Sequence, residues 1–162
     1  MIPEYKKILF ATDLSASAST VLRHVVGVAR AHQASVELVH VVPDPDQAVI
    51  NYVATIMGEG KLGHIEKEHR EEIAADLGKK LKDFAHEELA DHPEDLERID
   101  RIEVLHGHPA PVILSEARRI GADLIVIGTH GKGRLEYTFL GSVAQRIARK
   151  TGIPLLLIPL TH

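Results

Sequence analysis

Residues 122–128 read ADLIVIG, an apolar run from Leu124 to Ile127 with no polar alternation, closed by a glycine. A strand with one wet face alternates apolar and polar side chains; a strand covered on both faces does not. This stretch therefore asks for a sheet sandwiched between helices. Working outward, the same signature recurs in KKILFAT (6–12), SVELVHVV (35–42), DRIEVLHG (100–107) and IPLLLIP (153–159).

The segments between them carry helical periodicity. Val21, Val25 and Ala29, with Leu22 and Val26 beside them, form one face of a helix over 16–32. Pro43 and Pro45 end the second strand, and QAVINYVATIMG suits a short helix inside a 43–63 insertion. Residues 64–91 read as a long charged helix whose single apolar stripe is Ile73, Leu77, Leu81 and Phe84. Pro109 fits a first helical position, ahead of a stripe of Ile113, Ala117 and Ile120 that stops at Gly121. Val143 and Ile147, with Ala144 and Ala148, mark a last helix ending near Gly152. Strands alternating with helices imply right-handed crossovers: a doubly wound, Rossmann-like α/β fold with a five-stranded parallel sheet and helices on both faces. With no linker, low-complexity tract or repeat, residues 1–162 read as one domain.

Composition narrows the class. The chain lacks cysteine, which excludes disulfides, thiolate metal sites and cysteine nucleophiles, and suits a reducing compartment. The N-terminal apolar run stops at Asp13, too short for a signal peptide, and no segment has the apolar length of a membrane span, so a cytoplasmic protein without membrane insertion is expected. A net charge of −4 weighs against nucleic acid as the partner. From Gly107 onward, however, seven Lys/Arg face three Asp/Glu, a local excess that suits an anionic ligand.

Ligands of open parallel sheets bind beyond the carboxyl ends of the strands. Here the first strand ends in Ala11-Thr12-Asp13, the second in His40-Val41-Val42 and the fourth in Gly128. The segment from Thr129 to Leu140 is far longer than the usual strand-to-helix loop of about 2–6 residues. Gly128 and Gly131 allow backbone amides to approach a ligand, and Lys132 and Arg134 add positive charge. Gly141-Ser142 then opens a helix whose first N–H groups form an anion site. These parts suit a polyphosphate; alternatively, the glycines serve turns and Ser142 is an ordinary N-cap. Asp13 has two readings as well, hydrogen bonding to ribose hydroxyls or capping of the first helix. Val41 and Val42 can offer backbone groups to an adenine edge or simply fill the core.

Taken together, KKILFATDLSASA (6–18), ELVHVV (37–42) and GTHGKGRLEYTFLGSVAQRIARKTGIPLLLIP (128–159) resemble the universal stress protein (UspA) family. The resemblance covers nearly the whole chain, with 43–63 and the acidic helix loosely constrained. Gly128, Gly131 and Gly141-Ser142 match the spacing of its ATP-binding branch: glycine, two residues, glycine, nine residues, Gly-Ser. The resemblance implies an adenine nucleotide alpha hydrolase-like fold and an adenine nucleotide ligand, ATP, with a divalent cation, Mg or Mn, held through the phosphates. It places Thr12 and Asp13 at base and ribose, Val41 at the adenine, Ile127 and Gly128 beside the ribose, and Gly131, Gly141, Ser142 and Val143 around the phosphates. Ala11 stands where relatives often have proline. It also implies a homodimer through the C-terminal strand, whose apolar edge needs covering, and a switch role toward an unidentified protein partner.

Other signatures are missing. The chain has no GxxxxGK[ST], no GxGxxG after the first strand, no SGGxDS, no HxGH and no HExxH. The histidine pairs His64/His69, His86/His92 and His106/His108 read as solvated rather than metal-binding. No general base is evident for activating water, so no catalytic residue is assigned. The alternatives to a switch are a slow ATPase or adenylate-transferring enzyme, or a binder of AMP or cyclic AMP.

Overall fold

The computed structural model describes residues 1–44, 47–129 and 140–159. In chain order the elements are β1 (Lys7–Ala11), α1 (Ala18–His32), β2 (Ser35–Val42), α2 (Gln47–Met57), α3 (Glu59–Glu88), α4 (Pro93–Leu96), β3 (Ile99–His106), α5 (Pro109–Ile120), β4 (Leu124–Gly128), α6 (Ser142–Lys150) and β5 (Leu155–Ile158). The strands form one sheet in the order β3-β2-β1-β4-β5, every neighbouring pair parallel. This is the doubly wound α/β fold that the apolar runs predict. Strand order reverses between β1 and β4, because the chain winds from β1 toward β3, then crosses to β4 on the other side.

The alternation of side chains along the strands creates two cores. Ile8, Phe10, Val36, Leu38, Leu124 and Val126 point to the face covered by α1 and the C-terminal part of α3. Leu9, Val39, Val41, Ile125 and Ile127 point to the face covered by α5 and α6. Because both faces of β1 and β4 are dry, no polar alternation survives in these two strands. Pro109 takes the first turn of α5, and Gly121 ends it in the left-handed region at φ 67°, a conformation costly for a side chain with Cβ.

In the connection between β2 and β3, QAVINYVATIM forms the expected helix, α2, whereas α3 departs from the sequence reading by starting at Glu59 rather than 64. Among the described side chains of α3, Leu81 and Ala85 are the fully buried ones, joined by Leu89 just past its end; Ile73 and Leu77 of the expected stripe are half-buried. The one-turn α4 was too short to leave any periodicity in the sequence.

Among the described residues three carboxyl groups are buried beside the cores, those of Glu37, Asp95 and Glu116. Asp95 of α4 is 1% exposed and accepts from Arg30 Nε at 3.0 Å to both oxygens, with Arg30 Nη2 and Arg98 adding to the pair. The Arg30 hydrogen bond holds the Asp95 carboxyl below its ordinary range. Glu37, in the middle of β2, is fully buried on the α5 face, and neither of its oxygens has a hydrogen-bond partner among the described residues. Arg119 Nη2 approaches it only at 3.9 Å while bonding Glu116 through Nε at 3.0 Å. Burial, reinforced by the Glu116 charge, pushes the Glu37 carboxyl up to about 7.

Candidate functional site

β1 and β4 are neighbours at the reversal point, in register from Ile8↔Leu124 to Phe10↔Val126. Continuing that register brings the end of β1, at Ala11-Thr12-Asp13, beside the end of β4, at Ile127-Gly128. The sheet thereby assembles two of the segments expected at the site from positions more than a hundred residues apart.

The loop after β1 is fixed by its own side chains. Thr12, 7% exposed, donates its N–H to Val39 O at 2.9 Å, extending the sheet one residue beyond β1. Thr12 Oγ1 accepts from the Leu14 amide at 3.1 Å, and Asp13 Oδ1 accepts from the Ser15 amide at 2.9 Å. These two bonds hold Leu14 in the left-handed region at φ 60°. Asp13 does not cap α1: the cap position belongs to Ser17, which makes no side-chain cap bond. Oδ1 is therefore occupied, while Oδ2 is buried without a partner among the described residues. An orphaned carboxylate oxygen is costly to bury, and its cost is relieved by a donor such as a hydroxyl.

The Gly-Ser end of the motif meets the same place. Gly141 N–H donates to Thr129 O at 2.7 Å, and Thr129 N–H donates to Ile158 O at 3.0 Å. Gln145 Nε2 donates to Leu140 O at 2.7 Å. The long excursion from β4 thus starts and finishes at one backbone hydrogen bond, so Gly128 and Gly141-Ser142 become neighbours. Gly141 is the N-cap of α6, with extended φ −64° and ψ 160°, and Ser142 is the first helical residue. The N-cap reading of Ser142 does not hold; its side chain is exposed and α6 has no side-chain cap. The first intrahelical bond found is Gln145 N to Gly141 O, so the amides of 142–144 are those a helix leaves without an intrahelical acceptor. With the helix dipole they present partial positive charge at the end of β4.

Val41 is 8% exposed and its side chain belongs to the α5-face core, leaving only its backbone for any ligand. Ile127 is buried, Gly128 and Val143 are half-buried and Ala11 lines the junction between strands. Gly131, Lys132 and Arg134 lie outside the described residues, as does His130. One contributor escaped the sequence reading as a site residue: His40 Nδ1 lies 2.7 Å from Thr12 O and ties the β1 loop to β2. Only the β1–β2 register, with Ala11 opposite Val39, puts that imidazole within reach.

The donor set is anionic and hydroxyl-directed: one free carboxylate oxygen, one buried threonine and a helix N-terminus across a glycine backbone. That combination fits a ribose between Asp13 and Gly128 and phosphate oxygens toward the start of α6. Any divalent cation fits through phosphate oxygens, since among the described residues Asp13 is the one carboxylate the three segments supply.

Residues 4–159 match the Universal stress protein family. Universal stress protein MJ0577 of Methanocaldococcus jannaschii is 29% identical over 157 residues, spanning 95% of this chain and 94% of that protein. Universal stress protein MJ0531 of the same organism is 34% identical over 155 residues, covering 95% of this chain and 82% of that one. The solved structure of the MJ0577 protein superposes with a TM-score of 0.67 at 26% identity, covering 99% of both chains. The sheet order, the switch-point geometry and a match that spans almost every residue agree: the chain belongs to the universal stress protein family.

Proposed function

We propose that this protein binds ATP at the junction of β1, β4 and α6 and acts as a nucleotide-dependent stress-response switch. The observation that carries the reading is the Gly141–Thr129 hydrogen bond. It brings the two ends of a widely spaced glycine motif together beside a carboxylate oxygen that lacks a partner. In this arrangement Asp13 Oδ2 accepts from a ribose hydroxyl, Val41 offers backbone groups to adenine, and the amides of Ser142 and Val143 receive phosphate oxygens. Gly131, Lys132 and Arg134 complete the phosphate end on the family's pattern. A bound Mg or Mn ion supplies charge neutralisation between the phosphates.

The half-buried Leu155, Leu156 and Leu157 of β5, the sheet's edge strand, support pairing with a second copy into a homodimer. No helix among the described residues is long and apolar enough to cross a membrane, and we place the working protein in the cytoplasm. Ligand exchange would change the surface offered to a protein partner.

The test begins with nucleotide extracted from freshly purified protein and identified by mass spectrometry, followed by phosphate release over hours. ATP, retained and turned over more slowly than about one per minute, supports a switch; typical enzymes run near 10 per second. Sustained faster turnover, or AMP or cyclic AMP as the retained species, contradicts it.

A further inference from the structure

The connection between β2 and β3 is larger than the sheet requires. A 30-residue α3 is about 45 Å long at 1.5 Å per residue, roughly twice the length of the eight-residue strands it joins. Its buried residues, Leu81 and Ala85, lie in its last third. Because α3 returns the chain from the end of β2 toward the start of β3 and is longer than either strand, its N-terminal part overhangs the carboxyl ends of the strands. α2 packs on this overhang.

Apart from Met1 and Ile2, the exposed large apolar side chains among the described residues all lie there: Val49, Tyr52, Ile56, Met57 and Ile65. Val49, Tyr52 and Ile56 follow one another at three and four residues, the spacing of a helix-packing seam, and are 56%, 68% and 66% exposed. The half-buried Ile50, Val53 and Ala54 lie on a second stripe, roughly a third of a turn round the helix. A helix with two apolar stripes is built to sit between two partners, and α3 is one of them.

The charge pattern selects the other. From Gln47 to Met57 there is no Lys, Arg, Asp or Glu. The adjoining 59–72 carries five acidic and three basic residues. Surface-bound membrane helices rely on Lys and Arg to meet anionic lipid, and this region offers none on α2 and a net negative charge beside it. A charged partner surface would find nothing to pair with. An identical α2 places no like charges in contact, and an antiparallel pair about a two-fold axis closes the seam on itself.

We infer that α2 is a second self-association surface, on which Val49, Tyr52 and Ile56 pack against the same residues of another copy, each α2 backed by its own α3. It is separate from the β5 edge, since α2 and α3 connect the strands at the opposite side of the sheet. The seam is small against the roughly 800 Å² per partner of a standard interface, so pairing is weak and reversible.

The absence of native cysteine makes the test direct. In the full chain, Tyr52→Cys places one thiol at the seam, and Arg23→Cys places one on an exposed position of α1 as the control. Under mild oxidation at tens of micromolar protein, Tyr52→Cys forms a covalent dimer at least about tenfold faster than the control, because a two-fold seam juxtaposes identical positions. Adding Val49→Glu and Ile56→Glu, with folding checked by circular dichroism, abolishes that advantage. In sedimentation, the same double substitution without cysteine lowers the limiting mass about twofold. Equal cross-linking at both positions with unchanged sedimentation overturns the inference. Binding of the wild-type chain to phosphatidylglycerol vesicles, lost on Ile56→Glu and unaccompanied by the cross-link, overturns it in favour of a lipid surface.

Discussion

Asp13 divides its two carboxylate oxygens between a structural bond and the proposed ligand contact. Its Oδ1 shapes the loop by accepting from the Ser15 amide, and its Oδ2 is buried with no partner among the described residues. The sequence showed a carboxylate at a strand end but not which oxygen was spent, because that depends on the turn around Leu14. Replacing Asp13 with Ala removes a charge-assisted bond to the ribose and weakens ATP binding roughly 10–100-fold in calorimetry, with the far-ultraviolet spectrum unchanged. Glu37 gives a pH-dependent expectation. Its carboxyl titrates near 7 in the fold against 4.5 ordinarily, so the native state keeps a proton that the unfolded chain releases. Stability is therefore full below about pH 4.5 on this account and declines as pH rises through 7. Glu37→Gln removes that decline and raises the melting temperature at pH 8 by roughly 5 °C, with little change at pH 5. No pattern in SVELVHVV distinguishes a buried glutamate from an exposed one.

Among the elements, β1 and β4 were legible because burial on both faces leaves an apolar run, and α1, α5 and α6 because each has one apolar face. The connection between β2 and β3 was legible only in part: the helix at QAVINYVATIM was, whereas the start of α3 at Glu59 and the single turn of α4, fixed by tertiary contacts, were not. The ion pair between Asp95 of α4 and Arg30 of α1 anchors that turn. Asp95→Asn destabilises the fold by about 2 kcal/mol, less than a wholly buried pair would cost because Arg30 is half-exposed. Denaturant melts at pH 7 measure it. Since Arg30 holds the carboxyl below its ordinary value, this contribution is present at neutral pH and is lost as pH falls through the folded value. The overhang makes a further prediction: amides of α2 and of 59–80 exchange with solvent faster than those around Leu81 and Ala85, as native-state hydrogen exchange will read out.

For the molecule as a whole, the strand order matters more than any motif. Spacing alone offered a glycine pair and a distant Gly-Ser; the reversal between β1 and β4 is what sets Gly128 beside the strand that leads into Thr12 and Asp13. That meeting of strand ends follows from the crossover rule for parallel sheets and was readable from the sequence. The roles of Val41 as core and of Gly141, not Ser142, as N-cap required the packed backbone. If the site binds nucleotide only in the folded state, ATP at about a hundred times its dissociation constant adds about 2.7 kcal/mol and raises the melting temperature by roughly 5–10 °C. The most direct measurement is calorimetric titration of nucleotide-stripped protein with magnesium ATP, run beside Gly141→Val. The account predicts one ATP per chain, and at least about tenfold weaker binding when a side chain is placed at the helix start beside Thr129 O. Absence of binding by the wild-type chain, or equal affinity in the variant, contradicts it.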